Sequence, residues 1–264
     1  MKTLFKTLVF AALLVIAATS CKKLTETDQA TANDATVGEY ATSDVLLFSN
    51  GETGSSKDAL DNVYDTTCRT VTFTYNDDST ITKTITFNDC NIGDGISRTG
   101  QIKITFKPGW KFRLNTPATV ELINFKRGRE QHIFNGKHTI KLTAFEPLTF
   151  EINAENMSIT FDNGETYKWS GTRTIEWLKG FSTYRYNKDD SIRANFTHDA
   201  YNRKGEHLNV VGTDIIHSFC ENRIKITSGF VVINNLDKDK KITVEFNGCG
   251  SYTINDQQVE QTSE

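Results

Sequence analysis

The chain lacks several features that would point to a familiar function. None of its 264 residues lies in an apolar run long enough to cross a membrane, and the one apolar stretch near its start is short. Basic residues are not in excess, since 30 lysines and arginines stand against 33 aspartates and glutamates. The sequence contains no CxxC pair and no GxSxG pentapeptide. These absences argue against nucleic-acid binding, a four-cysteine zinc site and a serine hydrolase with a nucleophile elbow.

The first residues form a secretory signal. Lys2 and Lys6 precede an apolar stretch from Leu8 to Ala18, and the run ends at Cys21. This stretch has the length of a signal-peptide core and is too short to span a bilayer. A cysteine at the cleavage site resembles a bacterial lipobox, which implies that Cys21 becomes the lipid-bearing first residue, with palmitate-type chains, of the mature protein. Removing residues 1–20 takes two lysines with it, so the net charge falls from −3 to −5.

Setting Cys21 aside leaves four cysteines in an oxidising compartment. Four cysteines allow three pairings. The segment that ends at Cys90 parallels the segment that ends at Cys249, and each follows an earlier cysteine, Cys68 or Cys220, by a similar gap. This parallel favours the disulfides Cys68–Cys90 and Cys220–Cys249, each bridging a hairpin. We expect no metal site and no cofactor.

The mature chain divides into three parts. Residues 21–35 are polar and are typical of a flexible tether between lipid and domain. Residues 36–67 contain a short apolar run and the helical spacing of Leu60, Val63 and Tyr64, which predicts one or two short helices packing on the rest. Residues 68–264 alternate apolar and polar residues with a period of two, which indicates one β domain.

Short links with turn chemistry separate the strands, among them Pro108-Gly109, Asn135-Gly136, Asn163-Gly164 and Lys204-Gly205. Strands this regular with such short links predict a large antiparallel meander. A dozen strands cannot stay flat, so the sheet is expected to curve strongly, as an open sheet, a half-barrel or a sandwich. The fold class is therefore mainly β, preceded by one or two short helices.

Three features resemble a family of flavobacterial-type (Bacteroidota) outer-membrane lipoproteins: the cysteine-bounded hairpins, the segment from Trp169 to Trp177, and the closing Phe246-Asn247-Gly248-Cys249. The resemblance covers nearly the whole mature chain. It implies a lipid anchor and β architecture. The family has no assigned activity, so it implies no catalytic residue.

Aromatic residues are dense between residues 110 and 201. Buried, they would be core; exposed on a curved sheet, they would offer a flat apolar platform for a glycan or lipid. The candidate ligand-binding residues are Trp169, Trp177, Phe181, Tyr184 and Tyr186. Other chemistry is less well supported: His132 and His138 could oppose each other across the Asn135-Gly136 turn, and Ser218, His217 and Asp214 are close in sequence only.

Three functions stay open. The first is a non-enzymatic envelope lipoprotein that binds an apolar or glycan ligand or acts as a scaffold. The second is a partner-binding accessory subunit of an outer-membrane complex, and the third is a hydrolase. Lys22 and Lys23 follow the lipidated cysteine where surface-exposed lipoproteins tend to carry acids. This favours the periplasmic face of the outer membrane.

Overall fold

The structure is a computed structural model that describes residues 24–50, 68–91, 96–110, 113–128, 132–180, 189–220, 223–249, 251–255 and 257–260. In this part of the chain one helix, α1, precedes thirteen strands. Every strand pairs antiparallel with the next one along the chain. The elements are α1 (Glu26–Asn50), β1 (Arg69–Tyr75), β2 (Ile81–Asn91), β3 (Ser97–Phe106), β4 (Pro117–Arg127), β5 (Ile133–Phe145), β6 (Leu148–Thr160), β7 (Thr166–Lys179), β8 (Ser191–Tyr201), β9 (His207–Cys220), β10 (Arg223–Asn235), β11 (Lys240–Phe246), β12 (Ser251–Ile254) and β13 (Gln257–Glu260).

The predicted mainly-β meander is confirmed. Strand order in the sheet follows the chain from β1 to β13, and among the described residues the two end strands do not pair, so the sheet stays open. Period-two alternation places one face of strands β2 to β12 in a continuous core, for example Ile102, Ile104 and Phe106 on β3. Such alternation is typical of an antiparallel sheet with one covered face.

A line of β-bulges crosses the sheet and explains part of its curvature. Asp89, Asn124, Asn156 and Asp214 each adopt a positive φ of 47–50° at a shift in strand register. A side-chain oxygen from a neighbouring strand accepts a hydrogen bond from each of their backbone N–H groups, at 2.8–3.3 Å. We call these four residues the bulge seam. Bulges increase the local twist and bend a sheet.

Glycine completes the seam where two strands approach closely. A Cβ on Gly100 would lie 2.2 Å from the carbonyl oxygen of Asn124, and the φ of this glycine is +96°. Gly136 faces Asn156 on the next strand pair in the same way. Asn135-Gly136 is therefore a bulge inside β5, and the turn predicted there is wrong. Gly136 has a positive φ of 132°, but Asn135 does not share a positive φ, and the dipeptide bends the strand rather than reversing it.

Helix α1 lies in the concave face of the curved sheet. It contacts both β4 and β11, which are seven strands apart in the sheet order, so the sheet wraps around it. The buried positions of the helix carry mostly small or polar residues, including Thr31, Ala32, Gly38 and Thr42. Small side chains let the helix backbone approach the wall of the sheet closely.

Two boundaries predicted for the start of the domain need correction. The flexible tether predicted for residues 21–35 is wrong from Glu26 onward, because these residues form the first turns of α1. Asp28, Thr31 and Asp34 are buried against the sheet, whereas Glu26, Gln29 and Asn33 stay exposed on the other side of the helix. The helical segment predicted for 36–67 overlaps α1 only as far as Asn50, and Leu60, Val63 and Tyr64 lie outside the described residues.

Candidate functional site

The centre of the concave face is a buried ion pair between helix and sheet. Glu39 of α1 accepts a hydrogen bond from the Arg173 guanidinium of β7, and each side chain is only 4% exposed. The guanidinium also stands 4.8 Å from the centre of the Phe196 ring. Burial raises the pKa of the Glu39 carboxyl, whereas the charge and hydrogen bond of Arg173 act to lower it. The pair fixes the middle of the helix to the middle of the sheet.

Two further ion pairs hold the first half of the helix. Both side-chain oxygens of Asp34 accept hydrogen bonds from Arg203, at 2.8 and 2.5 Å. Asp28 accepts a hydrogen bond from Lys240 at the start of β11. Burial alone would raise the pKa of Asp28, but the hydrogen bonds from Lys240 and Thr25 outweigh it and the pKa is lowered. Three acidic positions of one helix are thus matched by three sheet cations.

Three buried histidines surround this centre. His138, His198 and His217 are between 0% and 6% exposed. Burial, together with the positive charge of Arg173, lowers the pKa of His138 and of His217 to about 3. Burial also lowers the pKa of His198, with Arg173 contributing in the same direction. Among the described residues, neither ring nitrogen of His138 has a hydrogen-bond partner. These histidines are neutral in the folded protein at physiological pH.

The helix fills the space in which an apolar ligand would lie. Gly38 faces the Trp169 ring, and a Cβ placed on this glycine would be 3.6 Å from the nearest ring atoms. The crevice between them is also lined by Tyr167, Phe196 and His198, and it has no room for a water molecule. The aromatic wall of the sheet is therefore covered by the helix backbone.

The structure describes two of the five residues predicted to bind a ligand. Trp169 is 4% exposed and faces α1, so a ligand could reach it only if the helix moved away. Trp177 is partly buried and packs against the core. Phe181, Tyr184 and Tyr186 lie outside the described residues. Ligand binding by this set stays a prediction.

The disulfide pairing favoured by the sequence is confirmed. Cys68 is bonded to Cys90 and joins the start of β1 to the end of β2. Cys220 is bonded to Cys249 and joins the end of β9 to the loop after β11. One bond lies in the first half of the meander and the other in the second half, and each closes a hairpin-sized loop.

Other candidate chemistry is not brought together. Among the described residues, no group of three or more histidines, cysteines, aspartates or glutamates could hold a metal ion. His132 stacks edge-on against Phe161, whereas His138 points into the core. The hydroxyl of Ser218 shares a hydrogen bond with Ser191, while its neighbour His217 is buried on the opposite face of β9. In the part of the chain that the structure describes, no helix combines the length and the apolar character needed to cross a bilayer.

The first edge of the sheet carries exposed aromatic residues. Strand β1 pairs with β2 over seven consecutive residues without a register shift, from Arg69 to Tyr75. Its Phe73 is 49% exposed and its Tyr75 is 79% exposed. After Arg69 the strand reads Thr-Val-Thr-Phe-Thr-Tyr, with no charge, proline or bulge. Charges, prolines and bulges are the features that natural proteins use to prevent pairing at a sheet edge, and β1 lacks them after Arg69.

Sequence reasoning missed residues 26–35 of the docked helix and its ion pairs with the sheet. The available signal was Thr25-x-x-Asp28, a capping pattern. In the structure the Asp28 carboxylate accepts a hydrogen bond from the Thr25 N–H at 2.7 Å, and the Thr25 hydroxyl accepts one from the Asp28 N–H at 3.3 Å.

Comparison with known proteins adds no relative to this description: no family model, curated protein or solved structure matches the chain.

Proposed function

We propose that this protein is a lipid-anchored lipoprotein of the cell envelope that works as a partner-binding scaffold. The anchor is Cys21, at the end of a signal sequence with a lipobox-like cleavage site. Lys22 and Lys23 after the cysteine favour the periplasmic face of the outer membrane. The scaffold role rests on one observation above all: the edge strand β1, which pairs without a register shift and carries no charge after Arg69, has exposed aromatic residues.

The position of α1 supports binding at the edge over binding inside the concave face. An apolar or glycan ligand in the concavity would need open aromatic surface, and the helix covers Trp169 there. At the end of this same face, beyond the helix, strand β1 offers Phe73 and Tyr75 to solvent beside their cross-strand neighbours Lys83 and Ile81. An extended segment of another envelope protein can add to such an edge, with backbone hydrogen bonds supplying affinity and side-chain contacts supplying specificity.

The lipid anchor is tested by intact-mass analysis of the membrane-extracted protein. The processed chain is expected to begin at Cys21 and to carry the mass of its acyl chains. The Cys21→Ser variant is expected to lose this mass and to leave the membrane fraction. A wild-type protein that keeps residues 1–20 or carries no acyl group would contradict the anchor.

Edge binding is tested with charges placed on matched exposed aromatics. Tyr75→Lys puts a charge on β1, and Phe145→Lys puts one on an aromatic residue that is 50% exposed at the end of β5. The proteins are expressed in the native envelope, solubilised gently and run on native gels. We expect the wild type and Phe145→Lys to migrate in a larger assembly and Tyr75→Lys to migrate alone. Migration of the wild type as a free monomer, or an intact Tyr75→Lys assembly, would refute edge binding.

A further inference from the structure

The chain between the proposed lipid and the folded domain is very short. Leu24 is 7% exposed and belongs to the hydrophobic core, and Thr25 caps a helix that is pinned by Asp28 to Lys240. Only Lys22 and Lys23 separate Leu24 from Cys21 in the sequence. Three residues of fully extended chain reach about 10 Å. The part of the domain that holds Leu24 therefore cannot lie farther than about this distance from the lipidated residue.

The start of α1 lies at one identifiable rim of the sheet. Thr31 accepts a hydrogen bond from Asn202, and Asp34 is bonded to Arg203, both beside the turn between β8 and β9. Asp28 contacts Lys240, beside the turn between β10 and β11. The first nine residues of the helix thus touch the turns at this rim.

Contacts between turns define the extent of the rim. Arg203 stands 3.4 Å from the centre of the Phe161 ring, and Lys204 pairs with Glu165 at 3.3 Å, which brings in the turn between β6 and β7. The Leu236 N–H donates a hydrogen bond to the carbonyl oxygen of His207, which joins the turn before β9 to the turn after β10. We call the turns at residues 161–165, 202–206 and 236–239 the helix-start rim. In a meander, the turns at 76–80 and 113–116 belong to the opposite rim.

From this geometry we infer that the domain stands on the membrane with the helix-start rim toward the lipid surface. The inference rests on the proposed lipid anchor at Cys21 and adds an orientation to it. A long tether would let the domain tumble freely, but the buried Leu24 and the capped helix leave no such tether. Leu236, which is 54% exposed in the turn after β10, is the apolar side chain that this orientation brings to the bilayer.

The three turns of the rim carry five acidic and three basic residues, so the rim is not basic. Lys204 pairs with Glu165, Lys238 with Glu206, and Lys240 with Asp28. The rim therefore has no free basic patch of the kind that draws a protein to anionic lipid. Its apposition to the surface follows from the short covalent connection, so it does not require anionic headgroups.

The orientation also determines where the proposed partner-binding edge lies relative to the bilayer. Strand β1 ends at Tyr75, next to the turn at residues 76–80 on the opposite rim. The strands run from one rim to the other, and the fourteen residues of β7 measure about 45 Å along the strand. Tyr75 accordingly faces away from the bilayer that holds the anchor. A partner would approach this edge from the aqueous compartment.

The test uses one new tryptophan at each rim of the acylated full-length protein. Leu236→Trp lies on the helix-start rim, and Leu114→Trp, at a leucine that is 47% exposed, lies on the opposite rim. Both proteins are placed in phosphatidylcholine vesicles with and without brominated phosphatidylcholine, whose bromines quench nearby tryptophan. The unsubstituted protein gives the contribution of the three native tryptophans. We expect added quenching for Leu236→Trp and none above the unsubstituted protein for Leu114→Trp.

A linker control examines the cause of the orientation. Ten glycine and serine residues inserted between Cys21 and Lys22 add a mean reach of about 17 Å. We expect this insertion to abolish most of the quenching difference between the two rims. Equal quenching at both rims without the linker, or stronger quenching at Leu114→Trp, would overturn the inference. Intact mass separates the outcomes: an unacylated Cys21 refutes the proposed anchor, whereas acylated protein with equal quenching refutes only the orientation.

Discussion

Glu39→Gln probes how firmly the helix is held in the concave face. The substitution keeps the shape of the side chain but removes the negative charge opposite Arg173. Both partners are 4% exposed, and arginine cannot lose its proton in a protein. Removing one partner of a buried pair leaves an uncompensated charge and costs about 3–5 kcal/mol of unfolding free energy. For a chain of this size, such a loss lowers the melting temperature by about 10 °C.

The measurement is urea denaturation, followed by tryptophan fluorescence, of a soluble form that begins at residue 22 with both disulfides formed. The matched control is Glu151→Gln, which removes the same charge from the pair with Lys141, where the side chains are 36% and 33% exposed. Exposed pairs contribute about 0–1 kcal/mol, so this control should scarcely shift the midpoint.

The double variant Glu39→Leu with Arg173→Met separates charge from packing. It removes both charges and keeps apolar volume, and replacement of a buried pair in this way is often neutral. We expect it to be more stable than Glu39→Gln. If Glu39→Gln costs less than about 1 kcal/mol, the pair is not desolvated and the account of the helix as a firmly docked element is wrong.

Three further predictions use the same denaturation assay. Stability should fall by about 3 kcal/mol between pH 7.5 and 5.5, because His138 and His217 each bind a proton when unfolded, with a usual pKa of about 6.5, but have a pKa of about 3 when folded. The lowered pKa of His198 acts in the same direction. This stability is present above pH 6.5 and is lost as the pH falls toward 3, and a flat profile would contradict it. Gly38→Ala should add about 0.5–1 kcal/mol because alanine favours the helix and its methyl group meets Trp169 at ordinary contact distance, whereas Gly212→Ala, whose Cβ would lie 2.1 Å from Phe196, should cost about 1–3 kcal/mol. Replacing Cys68 and Cys90 by alanine should cost about 3 kcal/mol for a loop of 22 residues, and an unchanged midpoint would show that the bond constrains nothing.

The sheet could be predicted from sequence because its apolar core residues recur with a period of two. Positions such as Ile102, Ile104 and Phe106 alternate with polar neighbours, and this pattern identifies a strand whatever lies next to it. The disulfides could be predicted as well, since each pair brackets one hairpin. These features depend on short stretches of chain, which one sequence displays directly.

The first turns of the helix, before residue 36, could not be predicted because their buried face is not apolar. Asp28, Asp34 and Glu39 look solvated in the sequence, and they are buried only because Lys240, Arg203 and Arg173 meet them from distant strands. Sequence patterns reveal a helix by the spacing of its apolar residues. They cannot reveal that an acidic residue pairs with a basic residue more than a hundred positions away. For the same reason the sequence did not reveal the centre of the concave face, and it left two interpretations of the aromatic wall, core or ligand platform.

The bulge seam has a consequence for how strands find their partners. Each seam residue needs a positive φ and a side-chain oxygen from the neighbouring strand, and Gly100 and Gly136 accept the close approach that follows. A strand shifted by two residues would keep its apolar face inward, so alternation alone cannot reject that error. It would, however, move a bulky residue onto the position of the glycine and leave the bulge N–H without its acceptor. The seam therefore disfavours out-of-register pairing at several positions across the sheet, and it does so independently of hydrophobicity.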